Sequence, residues 1–132
     1  MSLSIIVLAA GKGTRMLSTR PKVFHEVGNY PMLFHVLDAA HSFKGSKINL
    51  VISKEISSFK ESIIKKYKSI IFSIQNTQKG TADAVNSAFK NNAMNKSNIT
   101  LVLYGDTPLI SRKILKKAVD NFKKKKLDLC VI

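Results

Sequence analysis

The chain has 132 residues, of which 45% are hydrophobic, 23% are charged and three are proline; these proportions exclude a disordered or collagen-like chain and fit one globular domain over residues 1–132. Twenty-two Lys and Arg against eight Asp and Glu leave a formal charge of +14, which raises a nucleic-acid or anionic-membrane surface as one reading. The excess is nearly all lysine spread over helical segments, with no single patch, aromatic platform or helix-turn-helix pattern, so solvated helix faces account for it and a nucleic-acid partner is not expected.

The first ten residues carry no basic leader, and their apolar run is interrupted by Ser4 and stopped by Gly11, so no signal peptide is read there. No stretch reaches the roughly 18 apolar residues of a membrane-spanning helix. Ser4 to Leu8 reads as a short buried strand entering a tight glycine loop. Helical spacing follows at Met32, Leu33, Val36, Leu37 and Ala40. Ile48 to Ile52 reads as a second strand, Ile56, Phe59, Ile63 and Tyr67 as a helical stripe, and Ile70 to Ile74 as a third strand. Ala82, Val85 and Phe89 share a helical face, Ile99 to Leu103 repeats the strand pattern, and Ile114, Leu115, Ala118, Val119 and Phe122 mark a further helix. The run Lys123 to Lys126 closes that helix, where positive charge is favourable. Leu127 to Ile132 reads as a fifth buried strand at the very end, and since a domain ordinarily covers its last apolar element, a portion downstream is one expectation.

Short strands apolar on both faces, alternating with amphipathic helices, predict an α/β fold with a mostly parallel, Rossmann-like sheet covered on both sides. The single Cys130 can form no internal disulfide and has no neighbour at metal-ligand spacing; it is read as a buried small hydrophobe, with a reducing cytoplasm as the default location. His25, His35 and His41 are not at metal spacing and are read as surface or helix residues outside the chemistry.

In an open parallel sheet, ligands sit beyond the carboxyl ends of the strands, and the first strand-to-helix loop is the usual phosphate cradle. That loop reads Leu8-Ala9-Ala10-Gly11-Lys12-Gly13-Thr14-Arg15-Met16, followed by Pro21-Lys22. Its two glycines let the backbone approach a ligand closely, successive N–H groups form an anion site, and Arg15 and Lys22 add full positive charges. The dinucleotide fingerprint fails because Met16 stands where its third glycine belongs, and the Walker A loop fails because Thr14 follows Gly13 in place of its lysine. Asp106 follows the run Ile99 to Leu103 and so falls on the same sheet edge as the glycine loop. A lone carboxylate there suits Mg²⁺, which takes one or two protein carboxylates and completes its shell with phosphates and water. Asp106 could equally be a turn residue, Gln75 a polar strand end, Thr81 a helix N-cap and Tyr104 a packing residue.

The glycine loop with Pro21-Lys22 resembles the signature of the sugar-1-phosphate nucleotidyltransferases. Two further segments, Gln75-Asn76-Thr77-Gln78-Lys79-Gly80-Thr81-Ala82 and Leu103-Tyr104-Gly105-Asp106-Thr107-Pro108-Leu109, narrow the resemblance. Together the three resemble the uridylyltransferase domain of the bacterial bifunctional N-acetylglucosamine-1-phosphate uridylyltransferase/glucosamine-1-phosphate acetyltransferase family. The resemblance runs along the whole chain but covers only about the first half of that domain and none of the acetyltransferase part.

What the resemblance implies is nucleotidyl transfer from UTP to N-acetylglucosamine 1-phosphate, forming UDP-N-acetylglucosamine, a precursor of peptidoglycan and other cell-wall polysaccharides. Leu8, Ala9, Ala10, Gly11 and Gly13 would bind the nucleotide through the loop, Arg15 would lie near the triphosphate, and Lys22 would neutralise charge at the reacting α-phosphate. Gln75 would bond the uracil edge, Gly80 would let the base approach and Thr81 would lie by base or ribose. Tyr104 and Gly105 would border the substrate, and Asp106 would bind Mg²⁺. A second metal ligand, most sugar-binding groups and the trimer-forming β-helix belong to family regions outside this chain, so no trimer is expected. The alternatives are a related sugar-phosphate or MobA-like nucleotidyltransferase using another NTP, and a non-catalytic nucleotide-binding module.

Overall fold

The computed structural model describes residues 2–13, 15–91, 94 and 96–132. In chain order it contains β1 (Leu3–Leu8), a 3-10 turn at Lys22–Phe24, β2 (Glu26–Val27), β3 (Tyr30–Pro31), α1 (Met32–His41), β4 (Lys47–Ile52) and a second 3-10 turn at Glu55–Phe59. There follow α2 (Lys60–Lys66), β5 (Ile70–Ile74), α3 (Thr81–Phe89), β6 (Ile99–Tyr104) and α4 (Arg112–Lys125). Four of the five apolar runs therefore become strands, and they form one all-parallel sheet in the order β5-β4-β1-β6. This is the expected α/β class.

The central strand β1 explains why the runs are apolar on both faces. Ile5 and Val7 point into one core with Leu33, Val36, Leu37 and Ala40 of α1, Ile63 of α2 and Leu115 of α4. Ile6 and Leu8 point into a second core with Ala84 and Ala88 of α3 and Met94. Each fully buried Ile or Leu removes enough apolar surface from water to contribute about 1.5–3 kcal/mol, so the alternation of faces and the parallel register are strongly specified. The second face is thinner and carries polar pairs: Ser4 Oγ lies 3.3 Å from Thr100 Oγ1, and Asn49 Nδ2 donates to Ser73 Oγ at 2.9 Å. Asn49 Oδ1 is buried with no hydrogen-bond partner among the described residues.

The chain moves one way across the sheet, from β1 through α1 to β4 and through α2 to β5, and α3 then carries it back past two strands to β6. The strand order reverses between β1 and β6, and such a reversal opens a crevice at the carboxyl ends of the two strands. Outside the sheet, Tyr67 Oη donates to Asp38 Oδ1 at 2.5 Å and Tyr30 Oη to Asp38 Oδ2 at 2.8 Å, tying the end of α2 to α1 and β3. Burial, with the Asp38 hydrogen bond behind it, pushes the Tyr67 hydroxyl pKa up.

Two local expectations are corrected and one element is added. Leu127 to Ile132 forms no strand: Leu129 is 79% and Val131 88% exposed. Local apolarity makes a segment fit for a strand, but a strand exists only with a neighbouring backbone ladder, and none of the described residues pairs with this one. Instead α4 ends on Lys126 in the left-handed conformation, and Leu127 N–H bonds back to Phe122 at 3.2 Å in a helix-terminating motif. Cys130 within this segment is consequently exposed and not buried. The β2–β3 hairpin is an addition; Gly28 and Asn29 at its tip both have positive φ, the type I′ arrangement that matches strand twist. Two-residue strands are too short to show a period, so Gly28-Asn29 was its only signal.

Candidate functional site

At the reversal point the carboxyl ends of β1 and β6 and the amino end of α3 enclose a cleft of about 360 Å³, within the usual range for small-molecule sites. Its first wall is the loop after β1. The Ala9 N–H still bonds to Val51 O at 2.8 Å, continuing the ladder, and beyond it the N–H groups of Ala10, Gly11, Lys12 and Gly13 donate to no described residue. The Ala10 carbonyl is held from across the cleft by Gln78 Nε2. Gly13 sits at φ +58, and a Cβ built there would lie 2.7 Å from Lys22 Cβ. The loop thus folds directly onto Lys22, and only glycine permits that approach.

Lys22 opens the 3-10 turn that follows Pro21, whose carbonyl accepts from the Phe24 N–H at 3.0 Å. Val23 and Phe24 bury into the main core, and Phe24 stacks on Phe59 at 4.2 Å between centroids. The lysine is thereby delivered from a turn nailed to the core. Its Nζ lies 2.8 Å from Asp106 Oδ2, both side chains remaining a third or more exposed. Asp106 stands in a turn closed by Thr107 Oγ1 donating to Tyr104 O at 2.8 Å, so a place in a turn and a place in the cleft lining coexist. Gly105 is buried, its N–H given to Leu8 O at 2.8 Å, and it fastens the ends of β6 and β1 together without lining the cleft.

The third wall is the start of α3. Gly80 is its N-cap at φ +101 and ψ −178, a conformation essentially reserved for glycine. Without a capping side chain, the first-turn N–H groups stay available toward the cleft, where they favour an anion. Thr81 is the first helical residue and makes no capping bond, which corrects its N-cap reading. Gln75 is 5% exposed, and its Nε2 donates to Asp83 Oδ2 at 2.7 Å and to Gly80 O at 3.3 Å.

Of the residues singled out from sequence, the structure brings Leu8, Ala9, Ala10, Gly11, Gly13, Lys22, Gln75, Gly80, Thr81, Tyr104 and Asp106 to this one cleft. Arg15 is exposed on the loop and does not line it. Thr14 lies outside the described residues. Tyr104 also borders a second groove of about 500 Å³ between β6, α4 and the final residues. Sequence reasoning missed Gln78, which lines the cleft, and Asp83, which accepts from the Gln75 amide without itself lining the cleft. Gln78 could have been found inside its motif, whereas Asp83 showed only as an acid in a helix's first turn, where acids are common anyway.

Among the described residues no three His, Cys, Asp or Glu gather as a self-sufficient metal centre. Asp106 offers a single carboxylate facing the cleft, a donor set that fits a hard divalent cation sharing its shell with phosphate oxygens and water. No helix of the described residues is long and apolar enough to cross a membrane.

The family model described as "MobA-like NTP transferase domain" matches residues 5–132. The chain is 42% identical over 127 residues to the bifunctional protein GlmU of Buchnera aphidicola subsp. Schizaphis graminum, covering 96% of this chain and 27% of that protein. It is 39% identical over 115 residues to GlmU of Wigglesworthia glossinidia brevipalpis, covering 87% of this chain and 25% of the relative. The chain thus spans about a quarter of the length of the curated relatives it matches. Among solved structures, Rv0371c from Mycobacterium tuberculosis H37Rv superposes with a TM-score of 0.76 at 18% identity, over 91% of this chain and 60% of that one. The 4-diphosphocytidyl-2C-methyl-D-erythritolsynthase from Anaerococcus prevotii DSM 20548 gives 0.67 at 23% identity, over 93% and 52%. These two likenesses establish the fold.

Proposed function

The chain belongs to the MobA-like NTP transferase domain family, and on that premise we propose that it serves uridylyl transfer from UTP to N-acetylglucosamine 1-phosphate. The observation that carries the reading is the meeting of three sequence-distant segments in one cleft, with Lys22 Nζ 2.8 Å from Asp106 across 84 positions of chain. The similarity to GlmU proteins at about 40% identity supports the choice of nucleotide and sugar.

In this reaction a phosphate oxygen of the sugar phosphate attacks the α-phosphorus of UTP. A new P–O bond forms, the α–β bridging P–O bond breaks, and pyrophosphate leaves in line. No covalent enzyme intermediate is required, so the protein's work is positioning and charge stabilisation. The loop N–H groups of Ala10 to Gly13 cradle the triphosphate. Lys22 places its ammonium beside the α-phosphate, and Gln75, with Gly80 and Thr81, receives the base. Tyr104 forms the wall toward the sugar side. Asp106 would hold Mg²⁺, which supplies neutralisation of phosphate charge when bound. Arg15 acts only if nucleotide binding draws its loop inward, which the phosphate contacts of the neighbouring N–H groups would have to stabilise.

A calorimetric titration of the chain with UTP, with and without Mg²⁺ and with GTP and CTP as controls, tests the nucleotide half. Release of pyrophosphate on adding N-acetylglucosamine 1-phosphate tests the transfer. Selective, Mg²⁺-dependent UTP binding with release supports the whole proposal. Binding without release would make this chain a nucleotide-binding module, and absence of UTP binding would overturn the reading.

A further inference from the structure

Beyond the residues assigned above, we propose that Asp83 is a specificity-determining positioning residue: it orients the Gln75 carboxamide so that the cleft accepts a pyrimidine whose ring N3 carries hydrogen. The proposal rests on the reading of the cleft as a nucleotide site with Gln75 at the base. Gln75 is nearly fully buried at the end of β5 and lines the cleft, so its amide can turn only by exchanging partners. Both partners of its Nε2, the Asp83 carboxylate at 2.7 Å and the Gly80 carbonyl at 3.3 Å, are acceptors only. A flipped amide would set its oxygen against two acceptor oxygens, so the partners themselves decide which end carries the hydrogens. Oε1 has no hydrogen-bond partner among the described residues and is the group Gln75 has left to offer the cleft.

A lone acceptor discriminates between pyrimidines of nearly equal size. Uracil and thymine present N3–H and complete a hydrogen bond with Oε1. Cytosine presents a bare N3, and two acceptors would then face each other in a desolvated corner, with the binding loss of an unpaired polar group. Asp83 is suited to the task because it sits in the first turn of α3, three residues past the Gly80 cap. Its carboxylate is therefore fixed relative to the same glycine that admits the base. A negative charge there also favours the helix amino end. That purely structural role would affect every ligand of the cleft alike, which separates it from the role proposed.

The test is the calorimetric affinity of the full chain for UTP and CTP in the presence of Mg²⁺, for the unaltered protein, Asp83→Leu and Asp83→Asn, with inorganic tripolyphosphate as a base-free control. The unaltered protein is expected to favour UTP over CTP by about tenfold or more, the factor one hydrogen bond supplies. Asp83→Leu, which removes the acceptor, should bring the two affinities within about threefold of each other while tripolyphosphate binding is unchanged. Asp83→Asn keeps an acceptor oxygen without the charge and should retain the preference. A retained UTP preference in Asp83→Leu overturns this inference and leaves the base-site reading standing. Absence of any preference in the unaltered protein overturns both. Joint loss of UTP, CTP and tripolyphosphate binding in Asp83→Leu assigns Asp83 to the fold and overturns the inference.

Discussion

Two glycines two positions apart in one loop should respond oppositely to the same methyl group. At Gly13 the backbone is at φ +58, where an L side chain costs about 1–2 kcal/mol. The added Cβ would also lie 2.7 Å from Lys22 Cβ, about 1 Å inside normal carbon contact. Lys22 Cβ cannot step aside cheaply, because the next two residues, Val23 and Phe24, are anchored in the core. Overpacking of this kind costs about 1–3 kcal/mol, so Gly13→Ala should destabilise the fold by about 2–5 kcal/mol. That is a large share of the 5–15 kcal/mol typical of a domain and should lower the melting temperature by roughly 10 °C. At Gly11 a Cβ meets nothing within 4 Å and φ is not in the left-handed region. Gly11→Ala should therefore leave stability within about 1 kcal/mol of the original, or raise it slightly through the unfolded chain. Gly11 lines the cleft, so on the proposed function the added methyl should weaken nucleotide binding without weakening the fold. Urea unfolding followed by far-UV circular dichroism, alongside calorimetric UTP affinity, separates the two effects. Equal stability losses at both positions, or an unchanged midpoint for Gly13→Ala, would refute the reasoning from loop geometry.

Three further outcomes follow from the structure. On the proposed function, Lys22→Ala should lower the rate of uridylyl transfer by about a hundredfold or more while shifting UTP affinity only a few-fold, because that role sets the ammonium against charge that develops during reaction; single-turnover rates against calorimetric affinities decide it, and equal losses in both would remove the assigned role. The raised Tyr67 pKa means that the folded protein holds that proton more tightly than the unfolded chain. Its contribution to stability should be complete below the unfolded value of about 10 and decline as pH rises beyond it, and Tyr67→Phe should flatten that alkaline decline in thermal melts between pH 9 and about 11. Replacing Asn49 and Ser73 together, as Asn49→Val with Ser73→Ala, removes a buried hydrogen bond and an unpaired buried oxygen at once; stability should be unchanged or higher by about 1 kcal/mol in urea unfolding, whereas Ser73→Ala alone should lower it.

Much of this protein was legible in its residue order, since burial is a local property when it recurs with a fixed period. The runs at Ser4 to Leu8, Ile48 to Ile52, Ile70 to Ile74 and Ile99 to Leu103 are apolar on both faces because each lies between neighbours and under helices, and all four became strands of the parallel sheet. The stripes on α1, α3 and α4 were equally plain. The glycine loop was recognisable as an anion cradle because successive free N–H groups and a nearby lysine need only a few contiguous residues. The tertiary structure decided what depends on distant partners. Leu127 to Ile132 carries the same local pattern as a strand, yet strand formation requires backbone groups from elsewhere, and among the described residues none is supplied. Arg15 and Lys22 are cations on the same loop region, and only packing separates them: the turn at Val23 and Phe24 brings Lys22 onto Asp106, while Arg15 stays exposed. The hydrogen bond from Gln75 to Asp83 was out of reach of pattern reading for the same reason, because which amide atom faces a cleft is settled by three-dimensional neighbours and not by spacing.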